Sequence, residues 1–67
     1  MQIREVILNE LKENEAVDYA TLERVCAMKI NDFNWRVFAV VINDMEDSGE
    51  IEYDHEYLCY TLPEKKG

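Results

Sequence analysis

The chain has 67 residues and a formal net charge of −8, and 48% of its residues are hydrophobic. A chain this short holds one domain at most, because it buries only about 60% of its unfolded surface, and its apolar content excludes a disordered composition. The longest apolar run, 37–42, is far shorter than the roughly 20 residues that span a bilayer, and the negative charge disfavours phosphate and anionic lipid as partners.

The first predicted element is an amphipathic helix from Gln2 to about Glu13. Its apolar residues recur at the spacing that places side chains on one helical face. They are Ile3, Val6, Ile7 and Leu11. A short extended step at 16–17 follows. Asp18 is the type of residue that caps a helix N-terminus, so it predicts a second helix running to about Met28.

Asn31 or Asp32 repeats this capping signal and opens a third and longest helix, which continues to about Asp47. Apolar residues cover more than half of its circumference, so the helix is predicted to lie at the centre of the fold. They are Phe33, Trp35, Val37, Phe38, Val41, Ile42 and Met45. The strip predicted to face water consists of Asp32, Arg36, Ala39, Asn43, Glu46 and Asp47.

Ser48 and Gly49 end the third helix, because glycine tolerates the left-handed conformation common at a helix C-terminus. The apolar period then changes from 3.6 to 2, which predicts a β-hairpin. Ile51 and Tyr53 face inward from the first strand, 54–56 form the connection, and three residues face inward from the second strand. These are Leu58, Tyr60 and Leu62. The predicted domain covers 1–62, and 63–67 are expected to form a flexible polar tail.

Three helices, a short extended step, a closing glycine and a terminal hairpin resemble the winged-helix fold, a variant of the helix-turn-helix. Met45, Gly49 and Ile51 look like the family's join between recognition helix and first wing strand, and 58–60 look like its return strand. The resemblance covers about 3–62. It implies an α+β, mostly α fold: a three-helix winged helix-turn-helix with a C-terminal β-hairpin wing.

In DNA-binding members of this family the third helix enters the major groove and the wing touches phosphate, which calls for basic side chains. Here residues 32–62 carry eight acidic residues and a single basic one, Arg36, and the wing has no lysine or arginine. Affinity for DNA comes largely from neutralising phosphates. A DNA-binding transcriptional regulator is therefore the alternative hypothesis and not the leading one.

The leading hypothesis is a non-enzymatic protein-interaction module, or a small regulator or inhibitor of the phage type, that contacts a basic or apolar protein surface. Homodimerisation is one form of it, and neither a membrane nor a small-molecule substrate is an expected partner. The residues predicted to contact the partner are Trp35, Arg36, Ala39 and Asn43 on the third helix and Glu52, Asp54, Glu56 and Tyr57 on the wing.

Trp35 has two interpretations. Packed in the core, it completes the apolar arc of the third helix with Ile42, and the width of the arc favours this interpretation. At the surface, beside Arg36, it is an aromatic anchor of the kind found in binding hot spots. Tyr53 and Tyr57 on the wing pose the same choice between strand packing and partner contact.

No catalytic residue, metal site or cofactor is predicted. Aligning 44–55 with a calcium loop places Glu46 and Ser48 at ligand positions and His55 where a closing glutamate is required, so the pattern fails. Cys26, Cys59 and His55 lack any recognised ligand spacing. Two cysteines are too few for a disulfide framework and no leader precedes them, so we expect free thiols and a cytoplasmic location.

Overall fold

The computed structural model describes residues 2–63 and contains three helices followed by an antiparallel hairpin. The elements are α1 (Ile3–Glu13), α2 (Tyr19–Lys29), α3 (Trp35–Ser48), β1 (Glu52–Asp54) and β2 (Cys59–Thr61). The α+β fold class predicted from the sequence is therefore confirmed. Of the predicted tail, 64–67 lie outside the described residues. No helix among those described is long and apolar enough to cross a membrane.

Side-chain caps explain where α1 and α2 begin. At the start of α1 the backbone N–H of Gln2 donates to the carboxylate of Glu5 at 3.3 Å. At the start of α2 the carboxylate of Asp18 accepts from the backbone N–H of Thr21 at 3.3 Å and from its hydroxyl at 2.6 Å. These bonds lower the pKa of Asp18, and the hydroxyl of Thr21 is the main cause. The predicted cap at Asp18 is thus confirmed.

The predicted start of the third helix is wrong by two or three residues. Helix α3 begins at Trp35, and the side chain of Asn34 accepts a hydrogen bond from the N–H of Arg36 at 2.8 Å. Residues 31–32 form a turn instead. Phe33 packs on Phe38 with ring centroids 5.9 Å apart, and this contact draws the chain into the core before the helix can start.

The core lies where the three helices meet the hairpin. Helix α3 contributes Phe38, Ile42 and Met45, each between 0% and 2% exposed. Tyr19 closes one side of this cluster, with its ring edge-on to Phe38 at 5.2 Å between centroids. The remaining buried side chains are Val6, Ile7, Leu11, Val17, Leu22, Cys26, Ile51 and Tyr60. The central position predicted for the third helix is therefore confirmed on one of its sides.

A backbone bridge joins the connection between α1 and α2 to the hairpin. Val17 N–H donates to the carbonyl of Tyr60 at 3.1 Å, and Tyr60 N–H donates to the carbonyl of Val17 at 2.8 Å. The predicted extended step thus acts as a one-residue third strand beside β2. At the other end of the hairpin, Gly49 ends α3 in the left-handed conformation, with a φ of 86°. Three helices with a hairpin held in this way have a shape consistent with a winged helix.

The tip of the hairpin differs from its prediction. Residues 55–58 form the loop, so the predicted connection at 54–56 is shifted, and Leu58 adopts a left-handed φ of 57°. Leu58 was expected to face the core, but its side chain is 61% exposed. The cause is Asp54, whose carboxylate accepts from the backbone N–H of Glu56 at 2.8 Å and of Tyr57 at 3.2 Å and so holds a longer loop.

Candidate protein-binding surface

The outward side of α3 carries a row of exposed side chains, called the α3 face below. It consists of Arg36, Val37, Val40, Asn43, Asp44 and Asp47. Two of these are large apolar residues: Val40 is 59% exposed and Val37 49%. Trp35 is 61% exposed, but it lies at the N-terminal end of the helix, about 140° around the axis from Val40. Apolar side chains scattered singly are ordinary on a protein surface. Val37 and Val40 are three residues apart, so they are neighbours on the helix surface, and this small apolar patch makes the outward side of α3 a candidate interaction site.

The core interpretation of Trp35, and the inward position predicted for Val37, are wrong. The buried arc of α3 is narrower than the apolar pattern indicates, because only Phe38, Ile42 and Met45 are buried. Trp35 lies in the first turn, immediately after the cap at Asn34, where no preceding helical turn covers its ring. The structure therefore leaves Trp35 at the surface, as the partner-contact interpretation requires.

The predicted water-facing strip is only partly correct. Arg36 and Asn43 are exposed as predicted, whereas Ala39 is half-buried and offers little surface to a partner. Val40 was missed. Its signal was in the sequence, because a residue four after Arg36 and three before Asn43 lies on the same line along a helix.

The charges of α3 are ordered along its length. Arg36 lies in the first turn, with its guanidinium 5.5 Å from the centre of the Trp35 ring, and Asp47 lies in the last turn, preceded by Asp44. The first turn contains no acidic residue and the last turn no basic one. A helix macrodipole favours the opposite order. The order of charge therefore opposes the stability of the isolated helix and needs another explanation.

A groove of about 510 Å³ adjoins the α3 face on the side of Val37. Its floor and walls are aliphatic, and they are formed by Ile3, Ile30, Val37, Val41 and Met45. Arg4 and Glu50 lie on its rim, where the guanidinium Nε and the carboxylate are 2.6 Å apart. Asp44 belongs both to this rim and to the α3 face. The groove therefore extends the apolar patch towards α1.

The predicted wing residues divide into two kinds. Glu52, Glu56 and Tyr57 are exposed, whereas Asp54 is half-buried and caps the loop backbone. Tyr53 packs on Tyr60 at 4.8 Å between centroids, so strand packing is the correct interpretation for Tyr53 but not for Tyr57. In the described part of the chain, no hydrogen bond or ion pair joins the predicted wing residues to those of α3. We treat them as separate surfaces.

The reactive side chains do not converge. Cys26 is fully buried, and burial is the main reason that its pKa is raised to about 11. Cys59 is half-buried and its thiol donates to the carbonyl of Tyr57 at 3.1 Å. His55 stacks edge-on against Tyr53 at 4.9 Å. Across residues 2–63, no group of three or more histidine, cysteine, aspartate or glutamate side chains could hold a metal ion.

Comparison of the chain with protein-family models, with curated proteins and with solved structures finds no match. The fold and the candidate surface are therefore described from the structure of the chain alone. It has three helices and a hairpin in a shape consistent with a winged helix, and an exposed apolar and charged side on the third helix.

Proposed function

We propose that this protein is a non-enzymatic protein-interaction module that binds its partner through the α3 face and the neighbouring Trp35. The observation that carries the proposal is the exposure of Val37 and Val40 side by side on the outward side of α3, with Trp35 exposed next to Arg36 at the N-terminal end of the helix. Covering a large aliphatic or aromatic side chain that would otherwise face water stabilises a complex by about 1.5–3 kcal/mol. Tryptophan and arginine are also the residues most enriched at binding hot spots, and here they are adjacent.

We propose further that the domain is a winged helix. On this proposal α2 and α3 form the helix-turn-helix, α3 occupies the place of the recognition helix, and 52–61 form the wing. The Val17–Tyr60 bridge supports it, because the bridge places a short strand between the first two helices beside the wing. The proposed module therefore presents to a protein the element that related folds present to DNA.

The charges identify the kind of surface that fits. Asp44 and Asp47 lie beside the apolar part of the α3 face, so the complementary partner has an apolar centre and a cation next to it. The same carboxylates disfavour duplex DNA, whose binding needs cations against phosphates. We therefore expect no mobility shift of duplex DNA at physiological salt. Salt-sensitive binding in the micromolar range that Arg36→Ala abolishes would replace this proposal with the DNA-binding alternative.

The proposal is tested by binding to a purified partner. A photo-reactive residue at position 40 captures the partner, which is identified by mass spectrometry, purified and titrated with the intact chain. Trp35→Ala is expected to weaken binding at least about tenfold, as loss of a hot spot does.

Met28→Ala is the matched control, because Met28 is also an exposed apolar residue but lies on α2 outside the α3 face. Glu52→Lys tests the wing separately. Equal affinity of the wild type and Trp35→Ala for the captured partner would overturn the proposal.

A further inference from the structure

We infer that the α3 face binds a second copy of this chain, with the two α3 helices antiparallel across a two-fold axis at Val40. The inference rests on the proposed function, since it names the partner of the same surface. It is carried by the order of charges along α3 and by the position of Val40 between them.

Helical geometry places the charges in matching positions. At about 100° per residue, Val40 lies at the middle of the outward side, directly opposite the buried arc of Phe38, Ile42 and Met45. Arg36 is four residues before Val40 and Asp44 is four residues after it, and they lie about equally far to either side of its line. A two-fold axis at Val40 therefore brings Arg36 of each copy level with Asp44 of the other across the line of contact, and beside Asp47 on its own side of that line, with the two Val40 side chains in contact.

Only the antiparallel arrangement is consistent with these charges. In a parallel pair Arg36 would face Arg36, and Asp44 and Asp47 would face their own counterparts, so every charged contact would be repulsive. In the antiparallel pair each of the two arginines instead lies near Asp44 and Asp47 of the other copy. The sequence of α3 thus selects one orientation of a second copy.

The antiparallel pair also accounts for charges that oppose the dipole of their own helix. Asp47 lies near the negative end of its own α3, where a carboxylate is unfavourable by about 0.3–1 kcal/mol. Next to a reversed second helix, the same carboxylate lies near a positive N-terminal end, where it is favourable. Arg36 is likewise unfavourable near the positive end of its own helix and favourable near the negative end of the second one. The second copy converts both unfavourable placements into favourable ones.

The net charge of −8 per chain opposes the association of two copies. Two copies repel each other at long range, but at 0.15 M salt the screening length is only about 8 Å. Short contacts at α3 then outweigh the distant carboxylates. Because the contact is one helix wide, a weak dimer is expected.

Sedimentation equilibrium of the intact chain over about a hundredfold range of concentration at physiological salt tests the inference. A monomer–dimer equilibrium in the micromolar range is expected. Arg36→Glu is expected to weaken dimerisation at least about tenfold, and the charge-swapped double variant, Arg36→Glu with Asp44→Arg, restores it. Arg24→Glu is the control, because it makes the same change of charge at an exposed site on α2.

A covalent test fixes the position of the axis. A residue on a two-fold axis faces its own counterpart, so Val40→Cys in a Cys59→Ser background is expected to oxidise to a disulfide-linked dimer. Met28→Cys in the same background is the control and is expected to remain largely monomeric.

The outcomes separate the inference from the proposed function. A monomer at every concentration, or equal effects of Arg36→Glu and Arg24→Glu, overturns the second-copy inference. If a different protein then binds the α3 face and Trp35→Ala weakens that binding, the proposed function still holds. If the chain is a monomer at every concentration and Trp35→Ala does not alter binding to any captured partner, both fail.

Discussion

The two sides of α3 are built from similar residues but have different environments. On the inner side Phe38, Ile42 and Met45 are almost completely excluded from water, whereas on the outer side Val40 is 59% exposed and Val37 49%. An apolar residue on a helix therefore does not by itself indicate the core of its own chain. In a domain this small, the same helix can supply both the centre of the fold and a surface for another molecule.

The largest effect that tests this comparison is loss of the inner aromatic ring. Phe38→Ala removes a fully buried side chain that contacts Tyr19 and Phe33, and we expect the free energy of unfolding to fall by about 3–5 kcal/mol. Urea denaturation followed by circular dichroism measures it. Because this loss can unfold a small domain outright, Phe38→Leu is the second variant, with a smaller loss expected. Wild-type stability in both would show that the inner side is not the core.

The two cysteines provide a matched pair of substitutions, and the expected change in the free energy of unfolding is intermediate in size. Cys26→Ser places a hydroxyl among apolar side chains, so we expect a loss of about 1–3 kcal/mol in the free energy of unfolding. Cys59→Ser is its control and should change stability much less, because the thiol of Cys59 already donates to a carbonyl that a hydroxyl can also reach. Equal losses in the two variants would contradict the assigned burial.

The wing tip offers a gain instead of a loss. Leu58 is the one residue other than glycine with positive φ among those described, and an L-residue in this conformation costs about 1–2 kcal/mol. Leu58→Gly should therefore raise the free energy of unfolding by up to about 1 kcal/mol after the flexibility of glycine is allowed for. Tyr57→Gly is the control in the same loop. A gain in that variant as well would mean that the backbone of Leu58 is not the cause.

The smallest effect is expected on the outer side of α3. Val40→Ala, measured at a concentration low enough to keep the chain monomeric, should change the free energy of unfolding by less than about 0.5 kcal/mol. Alanine is the better helix former, so the sign should be stabilising. A loss comparable with that of Phe38→Ala would show that the two sides of α3 serve the fold equally.

Local signals in the sequence predicted the elements well. Asp18 identified the start of α2, Gly49 identified the end of α3, and alternation located the hairpin. The start of α3 is misplaced in the prediction because Asn31, Asp32 and Asn34 are all good capping residues, and capping preference alone does not distinguish them.

The candidate site was harder to predict than the fold. Periodicity measures how apolar a helix is around its axis, but it does not say how many neighbours are present to cover it. Trp35 and Val37 were therefore counted with Phe38, although only the last is buried. Similarly, alternation placed Leu58 inward, because it contains no information about the carboxylate of Asp54 that lengthens the loop.

The bridge between Val17 and Tyr60 relates the order of folding to how firmly α3 is held in place. These residues are far apart in sequence, and bringing them together has an entropic cost that local helix formation does not. Until β2 docks, Tyr60 cannot cover Tyr19, whose ring lies 6.4 Å away and packs on Phe38. The helices alone would therefore hold α3 loosely. If the proposed assembly through the outward side of α3 occurs, we expect it to follow the docking of β2.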